Sequence, residues 1–346
     1  MVQGVPLAPF TTLRLGGPAA SLIEVRTEDE TIAAVREADA AGAAVLLLSG
    51  GSSLVIGDSG WAGVVVLLRC AGSTVMRHGD EITLTIRAGE LWDDAVRFTV
   101  AEGWSGLECL SGIPGLAGAA AVENIAAFGQ ELADTVAAVR VLDRSTGAAL
   151  DLPAAACRFR ARDSLFLRSD RYVVLAVTLR LRASARPAPI GYADLAAELG
   201  LPVGAVAPPA DVRDAALALR GRSGRLVDAH DPDTWSVGSF FANPVVSAAE
   251  LARFESRLAA GSGYPSWPTA EGTKLSAAWL VRGAGIGLGY GNERVRVSQR
   301  HPLALVHHGG GSTAELIALA RGIRDAVSDR YGVALAVQPR LVGVSL

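Results

Sequence analysis

Residues able to do chemistry fall in four short stretches. Ser49-Gly50-Gly51-Ser52-Ser53 follows the apolar run Ala43–Leu48 and leads into Leu54-Val55-Ile56. A strand ending in Gly-Gly-Ser-Ser can turn consecutive N–H groups and hydroxyls toward an anion, so it is a candidate phosphate cradle. Alone, the pentapeptide reads by default as an ordinary polar hairpin turn. The second stretch, GLECLSGIPGLAGAAAVENIAAFGQE, runs from Gly106 to Glu131. Its glycines and small apolar residues suit a backbone that closely approaches a bulky planar ligand, or a buried small-residue contact. In the third, Cys157–Asp163 (CRFRARD), Arg158, Arg160 and Arg162 share one face if the segment is extended. A solvated charged face is the usual meaning of such a run. The fourth, SFFANPVV, places Ser239 ahead of two phenylalanines and an Asn-Pro turn signal.

Other chemistries find no support. Cys70, Cys109 and Cys157 lack CxxC spacing, and the five histidines form no metal-ligand pattern, so neither disulfide nor metal is expected. The net charge of −3 and the absence of a basic cluster argue against nucleic acid as a partner. The start of the chain has no basic-then-apolar leader, and no apolar run reaches the ~18–20 residues needed to span a bilayer. A cytoplasmic protein without membrane contact is expected.

At 346 residues the chain should form about two domains. Periodicity predicts helices at Glu28–Ala41, Leu91–Glu102, Asp211–Arg222, Ser247–Leu258, Lys274–Val281 and Thr313–Arg330. Thr27 is the expected N-cap of the first, and Ser247 with Glu250 forms an expected capping box. Strands are expected at Ala43–Leu48, Leu54–Ile56, Gly63–Leu68, Glu81–Arg87, Val136–Leu142, Tyr172–Leu181 and Val333–Val337. Five prolines between Arg182 and Pro209 suggest a boundary or long loop. Gly285, Gly287, Gly289 and Gly291 lack the strand–turn–helix context of a dinucleotide fingerprint and read as a loop.

In order, the chain shows TTLRLGGPA, LLLSGGSSLVIGD, AGELW, GLECLSGIPGLAG…VENIAAFG, CRFRARDSLF, GYADL and GSFFANPVV. Taken together these resemble the UDP-N-acetylenolpyruvoylglucosamine reductase family over almost the whole chain. The resemblance implies an α+β fold: a vanillyl-alcohol-oxidase/PCMH-type FAD domain over 1–185, in lobes of about 1–70 and 71–185. A substrate domain over 186–346 follows, its last strand and tail returning to the active site. It implies non-covalent FAD, NADPH as reductant and hydride delivery to the enolpyruvyl ether of a nucleotide sugar. A monomer or weak dimer is expected.

By the same resemblance, FAD meets Leu48, Ser49, Gly50, Gly51, Ser52, Ser53 and Leu54. Further along it meets Ser111, Gly112, Ile113, Pro114, Gly115, Gly118, Ala119, Asn124, Ile125 and Ala127. Tyr192, Arg225, Asn243 and His301 are implied substrate contacts. Arg162 is implied to hold the substrate carboxylate, and Ser239 to protonate the α-carbon. Charge develops there when hydride reaches the β-carbon, so a cation and a proton donor are what the step demands.

The chain departs from the family at the site. Gln338 stands where the family has its catalytic glutamate, Ala161 replaces a tyrosine, and Glu123 replaces a glutamine. Ala126 and Phe128 stand for glycine and tyrosine, Ser53 for asparagine, and Ala242 for lysine. Glutamine keeps the shape of glutamate but has no acidic proton to deliver. Glu123 is a candidate for the lost carboxylate. Two other readings follow from these departures: a paralogue acting as dehydrogenase or oxidase on another nucleotide sugar or secondary metabolite, and a non-catalytic flavin- or nucleotide-sugar-binding protein.

Overall fold

A computed structural model describes residues 1–167, 169–183, 188–259 and 261–346. The α+β chain gathers into two compact units. The first comprises Met1–Val5, Ala19–Gly50 and Ala62–Leu226, and the second Pro6–Pro18, Gly51–Trp61 and Val227–Leu346. The expected boundary at 185/186 lies outside the described residues. The stretch after it clusters with the first unit, where helices α4 (Ala193–Glu198) and α5 (Pro209–Arg222) form. They bury Ile190, Leu195, Val212 and Ala216 together with Cys109 and Phe128. Pro208 stands at the N-cap of α5 and Pro209 opens it, because proline suits the first helical turn.

The first unit carries two sheets. One has the order Val5–Pro6, Pro18–Val25, Trp61–Leu68, Val45–Leu48, the last pair being parallel. The other has five strands, Ala148–Pro153, Val136–Asp143, Tyr172–Arg182, Glu81–Arg87 and Ser73–His78, all paired antiparallel. Both outer strands of this second sheet escaped the sequence pattern. Ser73–His78 is exposed throughout and Ala148–Pro153 nearly so, so neither shows the alternation that a buried face imposes.

Helix α1 (Glu28–Ala40) forms as its cap dictates: the Thr27 side chain accepts the Glu30 N–H. Its Thr31, Ala34, Val35 and Ala38 are buried at helical spacing, and the two valine-rich sheets complete that core. Helices α2 (Trp92–Ala101) and α3 (Ala117–Glu123) cover the second sheet. Cys70 and Cys157 are buried hydrophobes, and burial pushes the half-buried Cys109 thiol up to about 12.

Gly118 shows how tightly α3 docks. A Cβ there would lie 2.7 Å from the Ala88 Cβ and 3.2 Å from its Cα and O. Gly118→Ala should therefore lower stability by about 1–3 kcal/mol, read as the urea midpoint of the FAD-loaded protein. An unchanged midpoint would mean that α3 slides to make room.

The second unit packs α6 (Ala248–Glu255), α7 (Ala277–Gly283) and α8 (Thr313–Tyr331) around one core. Phe254 meets Tyr264, Trp279 and Tyr331 at its centre. Helices α6 and α8 both start in capping boxes, Ser247 with Glu250 and Ser312 with Glu315. Asp58 accepts the first two N–H groups of α8, at 2.7 and 2.9 Å.

Two expected elements differ here. Gly272–Leu275 is a strand paired with Ser266–Thr269, and α7 starts only after Ser276, whose side chain caps it. Val333–Val337 alternates in burial but forms no strand. The last strand is Arg340–Val342, parallel to Leu54–Ile56. Alternation reports which side is covered, not how far a neighbouring backbone runs alongside, and here pairing is confined to the bridge from Val337 to Phe241.

Candidate active site

In the first unit, Leu48 ends its strand fully buried and delivers the chain to Ser49. The Ser49 hydroxyl is buried without a hydrogen-bond partner. Such a group costs free energy unless a ligand supplies its bond. At Gly50 a Cβ would stand 2.7 Å from the Gly115 Cα, so two glycine backbones meet where side chains would forbid it. Next to Gly115 are Ile113 and Pro114, half-buried, then Ala119 on α3. Ile125 is buried, and Ala127 pairs with Gln130 in a short hairpin.

Several glycine-stretch residues serve the protein itself. The Ser111 hydroxyl is fully buried and donates to the Glu108 carbonyl at 2.6 Å. Gly118 makes room for Ala88. Asn124 ends α3 in the left-handed conformation, and its side-chain amide bonds to the protein on both sides. Nδ2 donates to Glu131 and to the Arg160 carbonyl, at 2.9 and 2.8 Å, while Oδ1 accepts the Ala133 N–H. Ser111 and Asn124, both expected near the cofactor, are held in place by these bonds. Gly112 is pinned from outside: Asp93 accepts its N–H at 2.6 Å and grips Arg213 with both oxygens at 2.7 Å. Burial alone would raise the Asp93 pKa, but Arg213 and the Gly112 N–H outweigh it and hold the carboxyl below its ordinary range.

The arginine run does not form an extended face. Arg158 and Arg162 take φ of 52° and 55°, left-handed values that turn the chain twice within five residues. Arg162 is turned so that its Nη2 donates to the Ala126 carbonyl at 3.0 Å. Although Arg162 reaches solvent, crowding by neighbouring atoms lowers its pKa against the pull of Glu123 and Glu131. Burial raises the Glu123 pKa, and the Arg162 charge works against that rise. Arg225 stands near Arg162 and Tyr192, with its Nε donating to Ser223 at 2.8 Å. Tyr192 packs edge-on against Phe128, with ring centres 5.7 Å apart. Arg162, Glu123, Arg225 and Tyr192 are thus neighbours, together with Arg220, whose place in the sequence marks it only as one more helical cation.

In the second unit, Ser239 begins a segment clamped from both sides. The Phe240 N–H donates to Leu303 O at 2.8 Å, and Phe240 O accepts the Gln338 N–H at 2.9 Å. Ser239 bridges to Ala304, and Phe241 to Val337. The rings of Phe240 and Phe241 are completely buried below, 5.3 Å apart. Beyond Gln338 the tail returns: the Arg340 N–H donates to Ser53 O at 2.9 Å, where Leu54 starts its strand. Ser239, Gln338 and Ser53 therefore belong to one hydrogen-bonded patch. Gly51 and the adjoining Ser52 enter this patch, Gly51 with φ of 60° and its O accepting the Thr12 N–H.

His301 lies on the turn beside Ser239, its Nδ1 accepting the Leu303 N–H at 3.1 Å. Asp233 fixes that turn by accepting from Ser298, Gln299 and Arg300. Asn243 plays a structural part, since its Oδ1 accepts the Ala277 N–H at the start of α7, at 2.9 Å. Asp93, Arg220 and Asp233 do not stand out in the sequence, since an acid or arginine inside a polar stretch carries no local mark of burial. Among the described residues no group of acids, histidines and cysteines could hold a metal, and no helix is long and apolar enough to cross a membrane.

Comparison with known proteins adds the following. Residues 19–152 match the family model described as FAD binding domain. Residues 230–342 match the model described as UDP-N-acetylenolpyruvoylglucosamine reductase, C-terminal domain. The reductase of that name from Salinispora arenicola is 47% identical over 345 residues, covering 98% of this chain and 95% of that one. Its counterpart from Thermobifida fusca is 45% identical, covering 99% and 98%. The crystal structure of UDP-N-acetylenolpyruvylglucosamine reductase from Thermus caldophilus is 23% identical with a TM-score of 0.66, covering 98% and 97%, which establishes likeness of fold.

Proposed function

We propose, for a chain that belongs to the UDP-N-acetylenolpyruvoylglucosamine reductase family, that Ser239 is the proton donor and Arg162 the carboxylate anchor of the reaction. The protein is an FAD-dependent oxidoreductase with NADPH as reductant. The residues present fit the cofactor: the orphan Ser49 hydroxyl and the side-chain-free approach of Gly50 to Gly115 leave polar groups for a bound dinucleotide. Bound FAD supplies the hydride.

The rest falls to the chain's own residues. Arg162 would hold the enolpyruvyl carboxylate and offset charge developing beside it. Ser239 would give a proton to the α-carbon from a backbone held on both sides. Tyr192 and Arg225 would orient the nucleotide-sugar diphosphate. The observation that carries this reading is the clamped segment, which places Gln338 one hydrogen bond from the residue after Ser239. A place in peptidoglycan synthesis and a cytoplasmic location complete the proposal.

The test is anaerobic: reduce the yellow protein with NADPH, add enolpyruvyl-UDP-N-acetylglucosamine, and follow flavin reoxidation. Rapid reoxidation supports the reading. Reduction without substrate-dependent reoxidation would move the search to another nucleotide sugar, which the loss of an acid at Gln338 favours as a second reading. Failure of NADPH to reduce the flavin would point to an oxidase.

Glu123 enters this scheme as the carboxylate beside Arg162. Glu123→Gln should lower turnover by about 10²-fold or more, and unchanged turnover would remove Glu123 from the mechanism. The two forms should also differ in stability. Because burial raises the folded-state pKa above the ordinary 4.5, the folded protein retains a proton that the unfolded chain has released. Stability is then full below the unfolded pKa and is lost as pH rises through the folded one. Glu123→Gln should abolish that decline, as thermal melts across pH 4–8, a span chosen to bracket the ordinary carboxylate range, would reveal.

A further inference from the structure

Asp233 exposes only 8% of its surface, in the single turn Pro232–Thr234 on the approach to Ser239. Its Oδ2 accepts from the Ser298 hydroxyl at 2.8 Å and from the Arg300 Nε at 3.0 Å, and its Oδ1 from the Gln299 N–H at 2.9 Å. Ser298 is buried and passes that hold along the chain. Its Oγ accepts the N–H groups of Arg300 and His301, at 3.0 and 3.2 Å. The other end of the loop is tied by backbone. The Ser298 N–H donates to Ala304 O at 2.8 Å, and the Phe240 N–H to Leu303 O at 2.8 Å, while Ser239 bridges to Ala304. The stretches 233–241 and 298–304 are thus joined at one end by a carboxylate and at the other by the backbone that carries Ser239. An ion pair with Arg300 does not by itself account for Asp233, because Arg300 Nη2 also holds Asp231 at 2.5 Å. The bonds to Ser298 and Gln299 do something else, fixing the loop beside Ser239. Burial alone would raise the Asp233 pKa, but the Gln299 N–H, Ser298 and Arg300 outweigh it and hold the carboxyl below its ordinary range. It therefore stays ionised near neutral pH and accepts with both oxygens.

We propose that Asp233 is a positioning residue for the protonation step: through Ser298 it sets the 298–304 loop, and that loop holds Ser239 where its proton is delivered. The inference rests on the role proposed above for Ser239. A shift of about 1 Å at a reacting group can cost about 10²-fold in rate. An amide at this position could not accept from Ser298, Gln299 and Arg300 together, because one of its two terminal atoms is itself a donor.

The experiment follows the two half-reactions by anaerobic stopped flow in FAD-loaded wild type, Asp233→Asn, Ser298→Ala, Ser298→Thr, Ser239→Ala and the double variant Asp233→Asn/Ser239→Ala. Asp233→Asn and Ser298→Ala should each slow substrate-dependent reoxidation at saturating substrate by about tenfold or more. Flavin reduction by NADPH and the half-saturating substrate concentration should stay as in wild type, the mark of an effect on the step and not on binding. Ser298→Thr keeps the hydroxyl and should keep most of the rate. On top of Ser239→Ala, Asp233→Asn should slow nothing further, because it acts through the group already removed. A merely structural role would show as parallel losses in both half-reactions, or as a loss repeated in full in the double variant, and either would overturn the proposal. If Asp233→Asn does not hold FAD, the serine pair decides: equal rates for Ser298→Ala and Ser298→Thr would overturn it. A slow Ser239→Ala beside a normal Asp233→Asn would overturn the positioning role alone. A Ser239→Ala variant as fast as wild type would instead remove the proton donor of the proposed function, and this inference with it.

Discussion

Ser239→Ala should slow substrate-dependent reoxidation of the reduced flavin by about 10²–10⁴ and leave reduction by NADPH unchanged. The backbone around Ser239 is held by bonds that the substitution does not touch: Phe240 N–H to Leu303 O, and Gln338 N–H to Phe240 O. Phe240 and Phe241 anchor the same segment in the core. Removing one half-buried oxygen should therefore alter chemistry and not position. Anaerobic stopped-flow separates the two half-reactions, and a solvent isotope effect on reoxidation in wild type would identify the proton that Ser239 gives. Equal reoxidation rates in the two proteins would take Ser239 out of the proton path. Loss of both half-reactions together would mean a damaged cofactor site instead.

Gln338→Glu should raise the same reoxidation rate, by about 10²-fold if the missing acid limits the step. The substitution is nearly isosteric, and the Gln338 N–H keeps its bond to Phe240 O in either form. What changes is that a carboxyl group can carry a proton that an amide cannot. The variant should also acquire a pH limb absent from wild type, with the rate falling as the new carboxyl loses its proton. Faster turnover with this limb would show a family reductase working with a weakened proton network. A rate unchanged or lowered would show that the site has adapted around glutamine, and would favour a different nucleotide-sugar substrate. Combining Gln338→Glu with Glu123→Gln then asks whether one carboxylate replaces the other. If it does, the double variant recovers the rate that Glu123→Gln loses.

Much of the framework was legible from local pattern. Helix α1 starts at Thr27 and α6 at Ser247 because a side-chain oxygen two or three residues before a free N–H can satisfy it without help from elsewhere. Glu81–Arg87 shows its alternation because one face is buried, and the family motifs mark the Ser49–Ser53 turn and the Ser239 segment by residue type alone. These are interactions between residues close in sequence, or faces repeated at a fixed period.

Tertiary structure decided the rest. Arg340–Val342 became a strand because Leu54–Ile56, far away in the chain, pairs with it over its whole length, whereas Val333–Val337 finds a partner only at its end, where Val337 bridges to Phe241. The segment 188–226 joined the first unit because its apolar residues meet Cys109 and Phe128 there. The structural bonds of Asn124 and Asn243, to Glu131 and to the start of α7, formed only once their neighbours were in place. Arg220 looked like any cation near a helix end until burial removed its water and set two more arginines beside it. Periodicity reports a covered face, whereas pairing partners and uncompensated charge depend on atoms that only folding brings together.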